Sequence, residues 1–192
     1  MKTLVLASRS PRRQELLRQL GLHFEVMAAD VDERRAQGQS PADYAVSTAL
    51  AKAQKVASVT GADTIVLGAD TDVVVDGAIL GKPRDRDDAL VMLARLSARE
   101  HEVYSAAAMV SGSHEATRLS VTRVKFGVIS QQEARAYWDS GEPADKAGAY
   151  GIQGLGARFV KEIHGSYTGV VGLPLFETCE LLALFGVEAA TR

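Results

Sequence analysis

The stretch from residue 64 to residue 83 constrains the fold of this chain more than any other. Its apolar, β-branched start at residues 65–67 predicts a buried strand that ends at Gly68-Ala69. A polar triplet, Asp-Thr-Asp at residues 70–72, follows directly. Because polar side chains at the ends of buried strands commonly form the active sites of α/β proteins, this segment predicts such a site.

A β-hairpin is predicted next. Apolar residues 73–75 and 78–80 flank an Asp-Gly pair at residues 76–77, which suits a two-residue turn because both positions tolerate positive φ. The hairpin would bring Lys82 back towards Asp70, so that an ammonium group and a carboxylate meet. From this stretch alone, a surface ion pair without function is an equal alternative.

The first strand is expected at residues 4–7, followed by the sequence Ser-Arg-Ser-Pro-Arg-Arg at residues 8–13. Ser10 suits the N-cap and Pro11 the first position of a helix that ends at Gly21. The start of this helix therefore combines several donors that bind phosphate: two hydroxyls, three guanidinium groups and free backbone N–H groups. A capped helix with solvated arginines is the alternative, and the P-loop spacing is absent.

Hydrophobic periodicity and capping signals place the remaining elements. Strands are expected at residues 24–27, 103–110, 115–126 and 159–163, and helices at residues 41–59, 85–97, 130–139 and 174–185. The chain of 192 residues is expected to form one domain, residues 1–192, of one or two lobes.

Four features have both a structural and a functional interpretation. The acidic residues 30–33 form a solvated charge run or supply a carboxylate for a divalent cation. Lys52 is solvated or reaches a site beyond the sheet. The glycine-rich residues 145–156, which include Gln153, allow backbone to approach a ligand closely. Tyr137, with its neighbour Trp138, is expected in the core and not as a platform for stacking bases.

Charge and cysteine content exclude several classes of protein. The net charge is −2 without a basic excess, so no nucleic-acid partner is expected. No apolar run approaches the roughly 18 residues of a membrane span, and no signal peptide precedes Arg9, so the expected location is the cytoplasm and no membrane partner is expected. Cys179 is the single cysteine, which excludes an internal disulfide, and it is expected to be a buried thiol.

Together these segments resemble the Maf family over nearly the whole chain. The residues that carry the resemblance are Ser-Arg-Ser-Pro-Arg-Arg at 8–13, Gly-Ala-Asp-Thr at 68–71, Gly-Lys-Pro at 81–83, Asp-Lys-Ala-Gly-Ala-Tyr at 145–150 and Gly-Leu-Pro-Leu at 172–175. The resemblance implies an α/β fold: an elongated mixed sheet with flanking helices and two lobes around a central cleft, similar to inosine triphosphate pyrophosphatases.

The resemblance also implies an activity. Maf proteins are nucleoside triphosphate pyrophosphatases, and the Gly-Ile-Gln-Gly sequence at residues 151–154 looks like the branch that acts on dTTP and UTP. Modified pyrimidine triphosphates are further candidate substrates, which would make the role one of nucleotide house-cleaning. A divalent metal cation, Mg²⁺ or Mn²⁺, and a homodimer are implied as cofactor and assembly.

The resemblance assigns roles to nine residues. Asp70 would be the proton acceptor and, with Glu33, a metal ligand. The residues implied in base selection are Arg12, Thr71 and Gln153, and those implied in phosphate binding are Ser8, Arg13, Lys52 and Lys82.

Two other functions stay open at this point. The family's link to septum formation suggests a cell-division regulator that acts by binding nucleotide, with hydrolysis incidental. A nucleotidyltransferase would use the same triphosphate site but form a nucleotide–acceptor conjugate. Pyrophosphate release without a second nucleophile would favour hydrolysis.

Overall fold

A computed structural model of the chain describes residues 2–61 and 63–188. The strands of its sheet are β1 (Thr3–Leu6), β2 (Glu25–Val26), β3 (Thr64–Val75), β4 (Ala78–Leu80), β5 (Glu100–Ser111), β6 (His114–Phe126) and β7 (Val160–His164). The α-helices are α1 (Pro11–Gln19), α2 (Pro41–Ala57), α3 (Arg86–Leu96), α4 (Gln131–Asp139), α5 (Tyr167–Val171) and α6 (Leu175–Leu184). Within the described residues, no helix is both long enough and apolar enough to cross a membrane.

The sheet is mixed, as expected. Its strand order is β2-β1-β3-β5-β6-β7, with β4 paired to the end of β3. β1 is parallel to β2 and β3, and every other recorded pairing is antiparallel. β3 and β5 have 12 residues each and β6 has 13, so each extends for about 40 Å.

β3 does not end at Gly68-Ala69, which corrects the prediction from the sequence. It continues to Val75 because β5 pairs with it along most of its length, with Asp70 opposite Ala106. Its parallel neighbour β1 pairs only as far as the Leu6–Leu67 pair. It is therefore β1 that ends beside the polar triplet, and Asp70 lies three residues beyond the last pair.

Three groups of buried apolar side chains form the core. One packs α3 and α4 against the second half of β3 and includes Leu93. The other two lie on opposite faces of the first half of β3: Ile65 contributes to the group with α1 and α6, and Val66 to the group with α2. The long strands thus connect two lobes, and the middle of β3 lies between them.

Gly68 is required by the close approach of α2 to β3. A Cβ atom at this position would lie 2.2 Å from the backbone oxygen of Ala49 and 2.8 Å from the backbone nitrogen of Ala53. The absence of a side chain lets α2 lie directly on the strand. This contact places Lys52, on the same helix, over the residues that follow Gly68.

The local signals in the sequence are confirmed in most places. Asp76 and Gly77 have φ of 53° and 71°, as a hairpin turn of type I′ requires. The hydroxyl of Ser10 accepts a hydrogen bond from the backbone N–H of Arg13, which caps α1. Cys179 is only half-buried. The short helix α5 was not predicted from the sequence.

Candidate active site

A cavity of about 710 Å³ opens where β1 ends, between the middle of β3 and the N-terminus of α1. Sites for small molecules commonly have volumes of about 300–1,000 Å³. All nine residues to which the sequence assigned roles line this cavity: Ser8, Arg12, Arg13, Glu33, Lys52, Asp70, Thr71, Lys82 and Gln153. Residues from six separate segments therefore meet at one place.

Asp70 is buried in the cavity wall and paired with Lys52. The ammonium nitrogen of Lys52 lies 2.6 Å from Oδ1 of Asp70 and 2.7 Å from Oε1 of Glu33. Of the two interpretations of Lys52, the structure therefore supports the one in which it reaches the site. Lys82 lines the same cavity, but among residues 2–61 and 63–188 it forms no ion pair with Asp70. The hairpin does bring Lys82 to the cavity that contains Asp70, as predicted. The predicted ion pair between them is wrong, because α2 brings Lys52 to that carboxylate instead.

Asp72 is a cavity residue to which the sequence analysis gave no role. It is 7% exposed, and its Oδ2 atom has no hydrogen-bond partner in the described structure. Burial, and then the negative charge of Asp70, raise the pKa of Asp72 above its usual value, and the charge of Lys52 only partly opposes them. The signal was present in the sequence, since residues i and i+2 of a strand share one face.

Arg13 is held rigidly at the start of α1. Its Nε donates a 2.8 Å hydrogen bond to the carbonyl of Gly172, and a terminal nitrogen lies 3.4 Å from the hydroxyl of Ser8. Ser8 Oγ also accepts a hydrogen bond from the backbone N–H of Ser10. Burial lowers the pKa of Arg13, and the charge of Asp70 opposes that shift. Hydroxyl, guanidinium and helix N-terminus together form a site suited to an anion.

Thr71 lies on the face of β3 opposite to Asp70. Its hydroxyl donates to the carbonyl of Gly172 and lies 3.2 Å from Oγ of Ser105 and 3.4 Å from Arg13. A hydroxyl has one proton to donate, so its bond with Ser105 uses the proton of Ser105. Thr71 thus holds Arg13 and the end of α5, and its role in base selection stays a prediction.

Tyr44 supports the acidic side of the cavity and was also missed from the sequence. Its hydroxyl donates a hydrogen bond to the backbone carbonyl of Glu33. Burial, followed by the charges of Asp70, Asp72 and Glu33, raises the pKa of Tyr44 to about 12. The hydroxyl therefore stays protonated and fixes the loop that brings Glu33 to Lys52.

Arg12 and Gln153 also line the cavity. Arg12 forms a 3.2 Å ion pair with Asp145, which also pairs with Lys146 at 2.6 Å. Gln153 is exposed on the glycine-rich segment. Below this segment, the hydroxyl of Tyr150 lies 2.8 Å from Nε2 of the buried His101. Two of the three residues predicted to select the base, Arg12 and Gln153, therefore line the cavity together with Asp145 and Lys146.

Comparison with known proteins agrees with the resemblance seen in the sequence. The family described as Maf-like protein matches residues 3–185. A protein of Hahella chejuensis named dTTP/UTP pyrophosphatase is 50% identical over 189 residues, covering 97% of this chain and 94% of the relative. A protein of the same name from Saccharophagus degradans is 52% identical over 187 residues, covering 96% of this chain and 89% of the relative.

A solved structure shows the same fold at low sequence identity. The Staphylococcus aureus Ham1 protein matches with a TM-score of 0.50 and 15% identity, covering 96% of this chain and 97% of that chain. The mixed α/β architecture expected from the sequence is therefore shared with this protein.

Proposed function

The chain belongs to the Maf family, and we propose that it is a nucleoside triphosphate pyrophosphatase that converts dTTP and UTP to the monophosphate and pyrophosphate. The observation that carries the proposal is the meeting of all nine expected site residues in one cavity. The relatives that are half identical to this chain have the name dTTP/UTP pyrophosphatase, which supports the substrate class.

Asp70 would act as the base of this reaction. Its carboxylate would accept a proton from the water molecule that attacks the α-phosphorus in line with the departing pyrophosphate. Ser8, Arg13, Lys52 and Lys82 line the same cavity and would neutralise the charge that develops on the leaving group. When the phosphate oxygens of the substrate enter the cavity, the ammonium group of Lys52 can bind them in place of Asp70. The carboxylate of Asp70 is then free to accept the proton of the attacking water.

The carboxylates of the cavity fit a divalent cation such as Mg²⁺ or Mn²⁺. Within the described residues no three His, Cys, Asp or Glu side chains form a ready metal cluster. However, Mg²⁺ is commonly held by one or two carboxylates plus the phosphates of the substrate. Asp70 and the unpartnered oxygen of Asp72 supply two carboxylates on one strand face, and Glu33 lies within reach of the same ammonium group. Such a cation, when bound, would polarise the phosphoryl oxygens.

Gln153 suits the recognition of thymine and uracil. A side-chain amide offers both an acceptor and donors, which matches the O4 and N3–H of these bases, whereas cytosine presents the opposite pattern. The amide could turn to serve either pattern, so its surroundings must set its orientation. We therefore expect dTTP and UTP to be better substrates than CTP, and purine triphosphates to be poor ones.

Product analysis tests the function directly. dTTP is incubated with the protein and Mg²⁺ or Mn²⁺, and the products are separated. The proposal expects dTMP and pyrophosphate in equal amounts. Release of orthophosphate with dTDP would contradict it, and a nucleotide–acceptor conjugate would favour a transferase.

The assembly and the cellular setting belong to the same proposal. We infer a homodimer, a cytoplasmic location and a single functional unit over residues 1–192, in keeping with the family resemblance. Light scattering coupled to size-exclusion chromatography measures the molar mass of the protein in solution and so tests for the homodimer. A screen over natural and modified pyrimidine triphosphates identifies the preferred substrate.

A further inference from the structure

Glu142 lies directly beneath the segment that carries Gln153. One carboxylate oxygen accepts a 2.7 Å hydrogen bond from the backbone N–H of Leu155, and the other accepts a 3.1 Å bond from that of Gly156. Glu142 begins a 3₁₀ turn immediately after α4, so it belongs to a different element from the segment that it binds. A single side chain thus fixes the C-terminal end of residues 151–156.

Tyr137 fixes the other end of the same segment. Its hydroxyl donates a 2.7 Å hydrogen bond to Oε1 of Glu142 and accepts a 3.0 Å bond from the backbone N–H of Gly151. The ring of Tyr137 is buried and packs edge to face with Phe159, at 5.2 Å between centroids. The position of residues 151–156 is therefore set from the hydrophobic core of one lobe.

The glycines of the segment leave room for this network. A Cβ atom on Gly154 would lie 2.2 Å from Oε2 of Glu142, and one on Gly156 would lie 2.5 Å from the hydroxyl of Tyr137. Partial burial raises the pKa of the Glu142 carboxyl, but the hydrogen bonds that it accepts outweigh burial, so its net pKa lies below the usual value. Glu142 is therefore an anion at neutral pH and can accept all three hydrogen bonds.

The same turn is connected to Arg12. The ammonium group of Lys146 donates a 2.6 Å hydrogen bond to the backbone carbonyl of Glu142 and pairs with Asp145. Asp145 in turn pairs with Arg12. Glu142 is thus connected to two residues that were predicted to select the base. It reaches Gln153 through the backbone of residues 151–156, and Arg12 through Lys146 and Asp145.

Within the described residues, no hydrogen bond orients the side-chain amide of Gln153, which is exposed to the cavity. Its direction therefore depends on the backbone that carries it. We propose that Glu142 and Tyr137 are positioning residues for base selection, which they set by holding residues 151–156. This inference rests on the proposed function, because it specifies how that site distinguishes pyrimidines.

Two substitutions test the network without altering the catalytic carboxylate. Glu142→Gln keeps the shape of the side chain but leaves one acceptor oxygen for the three groups that donate to the carboxylate. Tyr137→Phe removes only a hydroxyl. The values of kcat/KM for dTTP, UTP, CTP and GTP are measured with Mg²⁺ by pyrophosphate release. Thermal unfolding of each variant is recorded alongside.

The proposal expects a change in selectivity, not a general loss. In Glu142→Gln, kcat/KM for dTTP and UTP should fall about tenfold, mainly through KM, while the values for CTP and GTP fall less. Tyr137→Phe should reduce the dTTP-to-CTP ratio by a smaller factor. The double variant should match Glu142→Gln alone, because both side chains belong to one network.

Two matched substitutions serve as controls. Glu180→Gln removes a surface carboxylate that pairs with Arg118, and Tyr104→Phe removes a hydroxyl that donates to Glu102. Neither Glu180 nor Tyr104 lines the cavity. Both controls should keep the wild-type ratios among the four nucleotides.

Each outcome separates the inference from the function on which it rests. Unchanged ratios in both variants, or an equal fall for all four nucleotides, would overturn the positioning role. If Glu142→Gln does not fold, Tyr137→Phe decides, and an unchanged ratio there overturns the inference. Failure of the wild-type protein to release pyrophosphate from any of the four would instead refute the proposed function.

Discussion

Nζ of Lys52 lies 2.6 Å from Oδ1 of Asp70, at a place where the two side chains are only 10% and 11% exposed. Lys52 comes from α2 and Asp70 from the middle of β3, so the pair depends on the close contact between this helix and this strand. A buried charge that loses its partner is costly, whereas loss of both charges together costs much less. The pair therefore connects the stability of the fold to the proposed chemistry.

Replacement of Lys52 by Met should destabilise the protein and abolish most of its activity. The change leaves Asp70 buried without its cation, for which the expected cost is about 3–5 kcal/mol in the free energy of unfolding. The double variant Lys52→Met/Asp70→Asn should recover part of that stability but none of the activity. Urea denaturation measures the first effect and pyrophosphate release the second.

Lys55→Met is the matched control, because Lys55 is exposed on the same helix. It should keep both wild-type stability and wild-type turnover. Wild-type stability in Lys52→Met itself would show that the buried ion pair is dispensable for the fold.

Asp72→Asn should make the protein more stable at neutral pH. Burial raises the pKa of Asp72, so over the pH range between its unfolded and folded pKa values the native state binds more protons than the unfolded chain. The free energy of unfolding therefore falls as pH rises through this range. Asparagine at position 72 does not ionise, so the variant does not lose this stability. We expect a gain of at least about 1 kcal/mol at pH 7, measured by thermal unfolding across a pH series.

The same variant should bind Mn²⁺ more weakly. With dTTP carrying a non-hydrolysable α–β bridge, electron paramagnetic resonance of Mn²⁺ should show an affinity reduced about tenfold. Asp76→Asn is the control, since Asp76 lies in the β3–β4 turn and pairs with Arg99. An unchanged Mn²⁺ affinity in Asp72→Asn would exclude Asp72 as a ligand.

Gly68→Ala should disturb the site from a distance. The new methyl group would collide with the backbone of α2 at Ala49 and Ala53. Overpacking of this kind costs about 1–3 kcal/mol, and a shift of α2 would move Lys52 away from Asp70. Both a lower melting temperature and a lower kcat are expected. Gly61→Ala, where a Cβ meets open space, is the control.

The local parts of this fold are readable from the sequence because they depend on neighbouring residues. The caps at Ser10 and Ser130 and the turn at Asp76 follow from hydrogen bonds and φ preferences within a few positions. The motif resemblance named nine site residues, and all nine line one cavity in the structure. The sequence was therefore sufficient to predict the local backbone geometry and the identity of these nine site residues.

The parts that the sequence did not reveal depend on contacts between distant elements. The continuation of β3 beyond Gly68 is set by pairing with β5, which no local pattern records. The choice of Lys52 over Lys82 as the partner of Asp70 follows from how closely α2 approaches the strand. Glu142 was overlooked because its acceptor role requires a chain reversal that brings residues 155 and 156 onto it.

The path of oxygen from water into the products tests the proposed reaction. dTTP is hydrolysed in H₂¹⁸O by the wild-type protein and by Asp70→Asn, and the products are analysed by mass spectrometry. Attack of water on the α-phosphorus predicts ¹⁸O in dTMP and none in pyrophosphate, with the rate reduced about 10²–10⁴-fold in Asp70→Asn. Label in pyrophosphate or orthophosphate, or wild-type turnover by Asp70→Asn, would contradict the proposed reaction.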